Sequence, residues 1–164
     1  MIRSQARSWA AVHHAGPSYA VAVATSISDE QRRAFLLAGT RTGVLATVRK
    51  DGRPHAAPIW FTLDGDDVIF TTGADTVKGR NLRRTGQATL VVDEPHPPFH
   101  FVAIEGTAEL SDDLAEMLPW ATALGGRYMG EQHAEAFGKR NAVPGELLVR
   151  LRPSKIVATA NVSD

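Results

Sequence analysis

Residues 71–84, with the sequence TTGADTVKGRNLRR, combine hydroxyl, cationic and small side chains as a site for a bound anion requires. Thr72 and Thr76 offer hydroxyl donors, and Lys78 offers a compact positive charge. Gly73 allows a ligand to approach the backbone closely, and the N–H groups at a helix start attract anions. The segment therefore indicates a phosphate site, although a run of charges on a helix is more often a solvated face.

The same segment also contains Arg80, Arg83 and Arg84. A nucleic-acid-binding patch is therefore an alternative interpretation. The chain of 164 residues has eighteen basic and eighteen acidic side chains, so its formal net charge is zero. Nucleic-acid binders usually carry a basic excess and interleave aromatic with basic residues, and this sequence has neither property. We therefore expect no nucleic-acid partner, and we expect Arg83 and Arg84 to form a solvated face.

Residues 53–61, RPHAAPIWF, are the candidate for a second wall of a ligand site. The segment is typical of a strand, but proline lacks the backbone N–H that a central strand must donate. Pro58 therefore predicts that one edge of this strand is incompletely paired. Such an edge can belong to an ordinary edge strand or bulge, or it can face a flat ligand, which Trp60 and Phe61 would border.

Common catalytic and metal-binding patterns are missing from the sequence. The chain has no cysteine, which excludes disulfides, thiolate catalysis and thiolate metal sites. His96 and His100 are four residues apart, but the two prolines between them prevent a helix that would place both rings on one face. No GxSxG, HExxH or GxGxxG pattern occurs. We therefore predict no metal site and no catalytic side chain.

Turn and capping residues locate the elements that position these segments. Ser28 and Gln31 form a predicted capping box for a first helix, which ends near Gly39. Asp51 and Gly52 form a tight turn between the first two strands. The sequence predicts six strands, over 44–48, 54–63, 68–72, 87–94, 100–110 and 146–160, with a bend of the fifth at Gly106, and helices over 28–39, 76–84, 111–126 and 131–140. Asp75 or Thr76 caps the second of these helices, and Gly86 ends it.

The short connections between the strands predict an antiparallel sheet. Six such strands with few covering helices tend to close into a barrel, which removes exposed edges. We expect one mainly β domain over residues 27–164, with peripheral helices, preceded by an arm over residues 1–26. No apolar run approaches the roughly 20 residues of a transmembrane helix, so we expect a cytoplasmic protein without a membrane partner.

Three motifs in this order, TGVLATVRKDGRPHAAPIWF, VIFTTGADTVKGRNLRR and FVAIEGTAEL, resemble the pyridoxamine 5′-phosphate oxidase-like split β-barrel superfamily. Within that superfamily, also known as the FMN-binding split barrels, they are most similar to the flavin/deazaflavin oxidoreductases of actinobacteria, in the B branch that uses coenzyme F420. The resemblance covers residues 28–158 and implies a six-stranded antiparallel split β-barrel. It also implies a homodimer with two cofactor sites at the subunit interface.

The resemblance assigns roles to residues of this chain. Thr72, Thr76 and Lys78 match phosphate-binding positions, and Arg80 and Asn81 are neighbours that could assist. The partner subunit would close the site with residues of the later helices, such as Trp120 or Arg127. The tricyclic ring of the cofactor would be lined, largely through backbone groups, by Ala57, Pro58, Ile59, Trp60 and Phe61.

The sequence departs from pyridoxamine 5′-phosphate oxidases themselves at three places. Those enzymes carry an arginine where this chain has Ala57, and an arginine-lysine pair where it has Val77 and Lys78. They also end in a substrate-binding segment rich in tryptophan and arginine, whereas this chain ends in RPSKIVATANVSD. The resemblance therefore does not imply the vitamin substrate.

The function that the resemblance implies is hydride transfer from reduced coenzyme F420 to an electron-poor small molecule, such as a quinone, a conjugated enone or a linear tetrapyrrole. The cofactor supplies the chemistry, so no side chain need act as acid or base. Two alternatives remain: an FMN-dependent oxidoreductase of the same fold, and a non-catalytic cofactor carrier or haem-binding relative. Lys78 suits the phosphate of either flavin, while Arg80, Arg83 or Arg84 could meet the glutamate tail that only the deazaflavin carries.

Overall fold

Eight strands and four α-helices account for most of residues 25–162, the part of the chain that the computed structural model describes. In chain order they are β1 (Thr25–Ser26), α1 (Asp29–Leu37), β2 (Gly43–Val48), β3 (Pro54–Ile59), β4 (Thr62–Asp64), β5 (Asp67–Gly73), α2 (Val77–Thr85), β6 (Gln87–Asp93), β7 (Phe101–Ser111), α3 (Leu114–Met129), a 3-10 helix (Glu131–His133), α4 (Ala134–Asn141) and β8 (Glu146–Ala160). Among these described helices, none is long and apolar enough to cross a membrane.

The strands form one antiparallel sheet in the order β3-β2-β6-β7-β8-β5-β4, and β1 pairs with β8 outside this path. The two ends of the path, β3 and β4, are separated along the chain by only Trp60 and Phe61. Two residues span at most about 7 Å, so the sheet must curve until its ends meet. The predicted mainly β barrel with peripheral helices is therefore confirmed, and its two end strands meet at a split.

The path has seven strands, whereas the sequence predicted six, because the strand expected over 54–63 is divided in two. Its first part, β3, pairs with β2, and its second part, β4, pairs with β5. Between them the N–H of Phe61 donates to the Tyr128 hydroxyl (3.1 Å), and its carbonyl accepts from Arg127 (2.7 Å). The Tyr128 and Arg127 side chains thus bind the backbone groups of Phe61 that a neighbouring strand would otherwise bind. The chain can therefore leave β3 on one side of the split and enter β4 on the other with its backbone groups satisfied.

The barrel interior is filled by the inward-facing residues of every long strand. Leu45, Phe61, Phe70, Leu90 and Leu151 are completely buried and belong to one continuous cluster. Side chains alternate along β2, with positions 43, 45 and 47 buried and positions 44 and 48 exposed. This alternation confirms the strand predictions. It also means that every second side chain of a strand lies on the outer face of the sheet, away from the core.

Local signals placed most element ends correctly. Ser28 and Gln31 make both hydrogen bonds of the capping box at α1. Gly86, in the left-handed conformation with φ 63°, ends α2, and the register of β7 shifts at Gly106, where we expected a bend. The start of α3 was wrong by two residues: Asp113 caps it, since Ser111 is still paired in β7.

The last two residues of the predicted arm belong to the sheet. Residues 25 and 26 were assigned to the arm, but they form β1 and pair with residues 160 and 159 of β8. The remainder of the predicted arm, residues 1–24, lies outside the described residues.

Gly79 in the first turn of α2 sets how closely this helix approaches the end of β5. A Cβ at this position would lie 2.8 Å from the carbonyl oxygen of Ala74 and in hard contact with that of Gly73. Gly79→Ala should therefore lower the free energy of unfolding by about 1–3 kcal/mol, although alanine normally stabilises a helix interior by about 1 kcal/mol over glycine. Urea denaturation measures the change.

The matched control is Arg83→Ala, an exposed position on the same helix, which should change the free energy of unfolding by less than about 0.5 kcal/mol. A Gly79→Ala protein as stable as the wild type would contradict the close approach of α2 to β5.

Candidate functional site

The open edge of β3 and the start of α2 face each other across a small cavity at the split. β3 is the end strand of the path, and within residues 25–162 it pairs only with β2, as the position of Pro58 predicted. The cavity has a volume of about 210 Å³. It is lined by Pro58, Ile59 and Trp60 at the end of β3, Thr71 of β5, Lys78 of α2, Leu124 of α3 and Asn141 of α4. The structure therefore brings Lys78 together with three of the five predicted ring-lining residues.

The hydroxyls of Thr72 and Thr76 hold the turn between β5 and α2 together. Thr76 donates to the Gly73 carbonyl (2.7 Å) and accepts from the Gly79 N–H (3.1 Å), so it caps the helix. Its oxygen lies 3.2 Å from that of Thr72, which is buried. Because Thr76 has given its single proton to Gly73, Thr72 must be the donor in this contact.

This arrangement gives the two threonines a structural role in the turn. Both hydroxyls are engaged there and fix the start of α2, the positive end of the helix. Their contact with a phosphate stays a prediction. Lys78 is the predicted phosphate-binding side chain that lines the cavity.

Glu146 is a charged neighbour of this turn that the sequence did not reveal. It pairs with Gly73 across the β5–β8 ladder, and a methyl group added at Gly73 would lie 3.3 Å from its carboxylate oxygen. Burial raises the pKa of the Glu146 carboxyl, and the positive charge of Lys78 partly opposes this shift. Lys78 therefore has a carboxyl group as its electrostatic neighbour.

Two of the predicted ring-lining residues do not reach the cavity. Phe61 is fully buried in the barrel core, and both of its backbone polar groups are bound to Tyr128 and Arg127. Ala57 is half-buried and lies opposite Leu45 of β2, away from the lining. The crossing of the barrel turns the Phe61 side chain inward, and the roles of Ala57 and Phe61 at a cofactor ring stay predictions.

Trp60 points away from the barrel and forms an aromatic wall with the helices. Its ring stacks on Tyr128 with 4.7 Å between ring centroids and 4° between ring planes, and Phe137 lies 6.0 Å away. Burial raises the pKa of the Tyr128 hydroxyl, which keeps this group protonated and able to donate to the Arg41 carbonyl (2.7 Å). Trp60 is thereby held in one orientation at the cavity.

Arg127 is a structural residue of its own subunit. Its guanidinium donates to the carbonyls of Phe61 (2.7 Å), Leu36 (2.7 Å) and Gly39 (3.3 Å), and it lies 4.8 Å from the centre of the Phe61 ring. Burial lowers the pKa of Arg127. These contacts hold Arg127 within its own chain, and its role in a partner's site stays a prediction.

Trp120, the other side chain that we expected to close a partner's site, also packs within its own chain. It lies against the small cluster of Ile69, Met117 and Leu148, with the Arg150 guanidinium 5.8 Å from its ring centre. Its role in a partner's site stays a prediction.

Arg80 and Asn81 face a different concavity from Lys78. Arg80 donates to the Asp75 carbonyl, while Asn81 is buried and donates to the Thr47 hydroxyl (3.0 Å), tying α2 to β2. Both line a cleft of about 640 Å³ between α2 and the β2–β3 turn. Asn81 is thus first a structural link, and neither residue joins the cavity at the split.

The donor set of the cavity contains no metal ligands. Over residues 25–162, no three histidine, aspartate or glutamate side chains converge as a metal site would need. One ammonium group, an open strand edge and an aromatic wall suit an organic anion with a flat ring.

Solved structures share this architecture. A conserved hypothetical protein from Mycobacterium tuberculosis superposes with a TM-score of 0.72 and 21% identity, over 82% of this chain and 86% of that one. HutZ, the haem storage protein from Vibrio cholerae, superposes with a TM-score of 0.63 and 18% identity, over 80% and 94% of the two chains. At these identities the likeness shows the fold alone.

An F420 reductase is 26% identical and superposes with a TM-score of 0.61, over 76% of this chain and 94% of that one. The model of the pyridoxamine 5′-phosphate oxidase family matches residues 28–160, which include the whole barrel, the split and the cavity. The chain belongs to the pyridoxamine 5′-phosphate oxidase family.

Proposed function

We propose that this protein is a cytoplasmic oxidoreductase of the actinobacterial deazaflavin type, which uses coenzyme F420 to reduce an electron-poor small molecule. The observation that carries the proposal is the cavity in which the open edge of β3 faces Lys78. The similarity to an F420 reductase supports the choice of cofactor. When bound, the reduced cofactor supplies a hydride to the acceptor.

The residues of this chain then have binding and positioning roles. Lys78 neutralises the phosphate, and the free backbone groups at the β3 edge meet the polar edge of the ring. Trp60, fixed by its stack on Tyr128, borders the ring and excludes water from one side. No side chain acts as an acid or base in this proposal, since solvent can protonate the product.

A second copy of the chain has to complete this site. The cavity of about 210 Å³ is smaller than the roughly 300–1,000 Å³ of typical cofactor pockets. Beside it, the outer face of the sheet carries an apolar row across five strands, formed by Pro58, Val44, Val91, Ala103 and Val157. We propose that this row, called the outer row below, is the homodimer interface, because exposed apolar patches mark association surfaces.

The alternatives predict different ligands. FMN carries the same phosphate that Lys78 would bind. Haem binding is the second alternative, because the fold is shared with the haem storage protein HutZ. Titrating the purified protein with F420, FMN and haem separates them, with cofactor fluorescence or haem absorbance as the signal. Tight binding of FMN or haem without binding of F420 would overturn the proposal. Oxidation of reduced F420 by a panel of quinones and enones, followed as the return of the absorbance of oxidised F420, then separates an enzyme from a carrier.

Lys78→Ala should weaken F420 binding by about 1.5–3 kcal/mol, roughly 10-fold to 150-fold, because a charge-assisted bond to the phosphate is lost. Lys139→Ala is the matched control, since Lys139 is an exposed lysine of α4 that pairs with Glu135. If the Lys78→Ala protein and the wild type bind F420 with equal affinity, Lys78 does not bind the phosphate and is an ordinary solvated side chain.

F420 affinity should rise as the pH falls through the raised pKa of Glu146, because the protonated side chain no longer opposes an anion at Lys78. Glu146→Gln should bind about fivefold more tightly at neutral pH, as ~1 kcal/mol is typical of a partly exposed charge. Its pH profile should also be flatter. Glu135→Gln on α4 should keep the wild-type profile, and an unchanged profile in Glu146→Gln would exclude Glu146 from the site.

Val44→Lys, in the middle of the outer row, should convert the dimer to a monomer and abolish cofactor binding, because a lysine cannot be buried there unpaired. Sedimentation velocity and the F420 titration measure the two effects. Leu118→Lys, at a similarly exposed position of α3, should change neither. A Val44→Lys protein that remains dimeric would place the interface elsewhere.

A further inference from the structure

A pocket of about 300 Å³, called the α1 pocket below, lies between α1, the start of β7 and the end of β8. It is lined by Ile27, Gln31, Phe35, His100, Ala160 and Asn161. None of these residues lines the cavity at the split, so the two concavities are separate. The volume of the α1 pocket is at the lower end of the roughly 300–1,000 Å³ of small-molecule sites.

Two residues with a left-handed backbone hold one wall of the α1 pocket. Phe99 has φ 52° and Asn161 has φ 55°, which is uncommon outside glycine and strained for a bulky side chain. The Val162 N–H donates to the Phe99 carbonyl (3.1 Å), and the Asn161 N–H donates to Nδ1 of His100 (3.2 Å). These bonds join the two residues and fix the His100 ring at the pocket. Backbone strain of this kind is concentrated at ligand-binding and active sites.

Two polar side chains of the lining have only hydrogen-bond donors left for a ligand. Because His100 accepts at Nδ1, its ring proton lies on Nε2, and that nitrogen is a donor. Gln31 accepts from the Ser28 N–H at Oε1 (2.9 Å) as part of the capping box, which leaves its amide N–H groups to donate. Neither donor has a hydrogen-bond partner within residues 25–162. A ligand that satisfies both must bring an acceptor.

The rest of the α1 pocket is apolar and carries no net charge. Its other half-buried side chains are those of Ile27, Phe35 and Ala160. The Phe35 ring is held by the His100 ring, which packs edge-on with 6.2 Å between centroids, and by the Arg41 guanidinium 4.6 Å from its centre. Arg41 is paired with Glu94, which neutralises its charge. These walls match an uncharged ring compound better than an ion.

We infer that the α1 pocket is a second small-molecule site, which binds an uncharged ring compound through its carbonyl oxygen. The carbonyl accepts from His100 and Gln31, and the ring packs against Phe35 and the aliphatic side chains. Because the α1 pocket shares no lining residue with the cavity at the split, the inference does not depend on the proposed function. A molecule bound in the α1 pocket is distinct from one that is reduced at the cavity.

The test uses two probes of similar shape, 1-tetralone and tetralin, which has the same two fused rings without the carbonyl. Titrations of the isotope-labelled full chain, followed by NMR through the amide signals of Gln31, Phe35 and Asn161, measure both affinities. The wild type should bind 1-tetralone about fivefold to tenfold more tightly than tetralin, as expected for one hydrogen bond.

Gln31→Glu keeps the capping box, in which glutamate serves as well as glutamine, but it replaces the amide donor by an acceptor. It should weaken 1-tetralone about fivefold to tenfold, to the affinity of tetralin, and leave tetralin unchanged. Leu37→Glu is the matched control, since it adds the same charge at an exposed position of α1 outside the pocket, and it should change neither affinity. Ala160→Leu should fill the pocket and abolish the binding of both probes.

Four results would overturn the inference. If the two probes bind equally, or if Gln31→Glu changes neither affinity, the donors do not select a carbonyl. If Leu37→Glu acts like Gln31→Glu, the effect is one of charge alone. If the probes shift the signals of Trp60 and Lys78 rather than those of Gln31 and Asn161, they bind at the split. If the full chain binds neither probe, the pocket takes no such ligand, and binding by a protein that begins at Thr25 would then show that the preceding residues occupy it.

Discussion

The crossing of the chain from one end of the sheet to the other, at Trp60 and Phe61, is the constraint on which the rest of the structure depends. A backbone that leaves one strand and enters another must satisfy its polar groups in between. Here the Tyr128 hydroxyl and the Arg127 guanidinium of α3 bind the N–H and the carbonyl of Phe61. Helix α3 is therefore part of the barrel closure.

This closure explains why the edge of β3 stays open. Because the crossing is bonded to α3, no strand in the described part of the chain pairs with the second side of β3, and the proline at position 58 is accommodated there. The same crossing turns Phe61 into the core and Trp60 outward, onto Tyr128. One local arrangement thus creates the barrel, the split and the aromatic wall of the cavity.

Helix α2 divides the charges of residues 71–84 among three surroundings. Lys78 faces the cavity at the split, Arg80 and Arg84 face the cleft between α2 and the β2–β3 turn, and Arg83 is exposed to solvent. The orientation of the helix is set by the Thr76 cap, the close approach of Gly79 to β5 and the anchor of Asn81 on Thr47. Small polar contacts therefore decide which cation faces which concavity.

The sequence by itself determined the features that depend on near neighbours: the capping box of α1, the Gly86 end of α2, the shift at Gly106 and the incomplete pairing at Pro58. It also identified the three motifs and the family, but it left the cap of α2 open between Asp75 and Thr76. Only the tertiary structure decided what depends on distant partners. The division of the second strand requires residues more than sixty positions away, and the proximity of Glu146 to Lys78 follows from a ladder between β5 and β8. The bond from Asn81 to Thr47, which joins α2 to β2, is likewise a long-range contact, since a sequence pattern encodes the period of each element but not the pairing between elements.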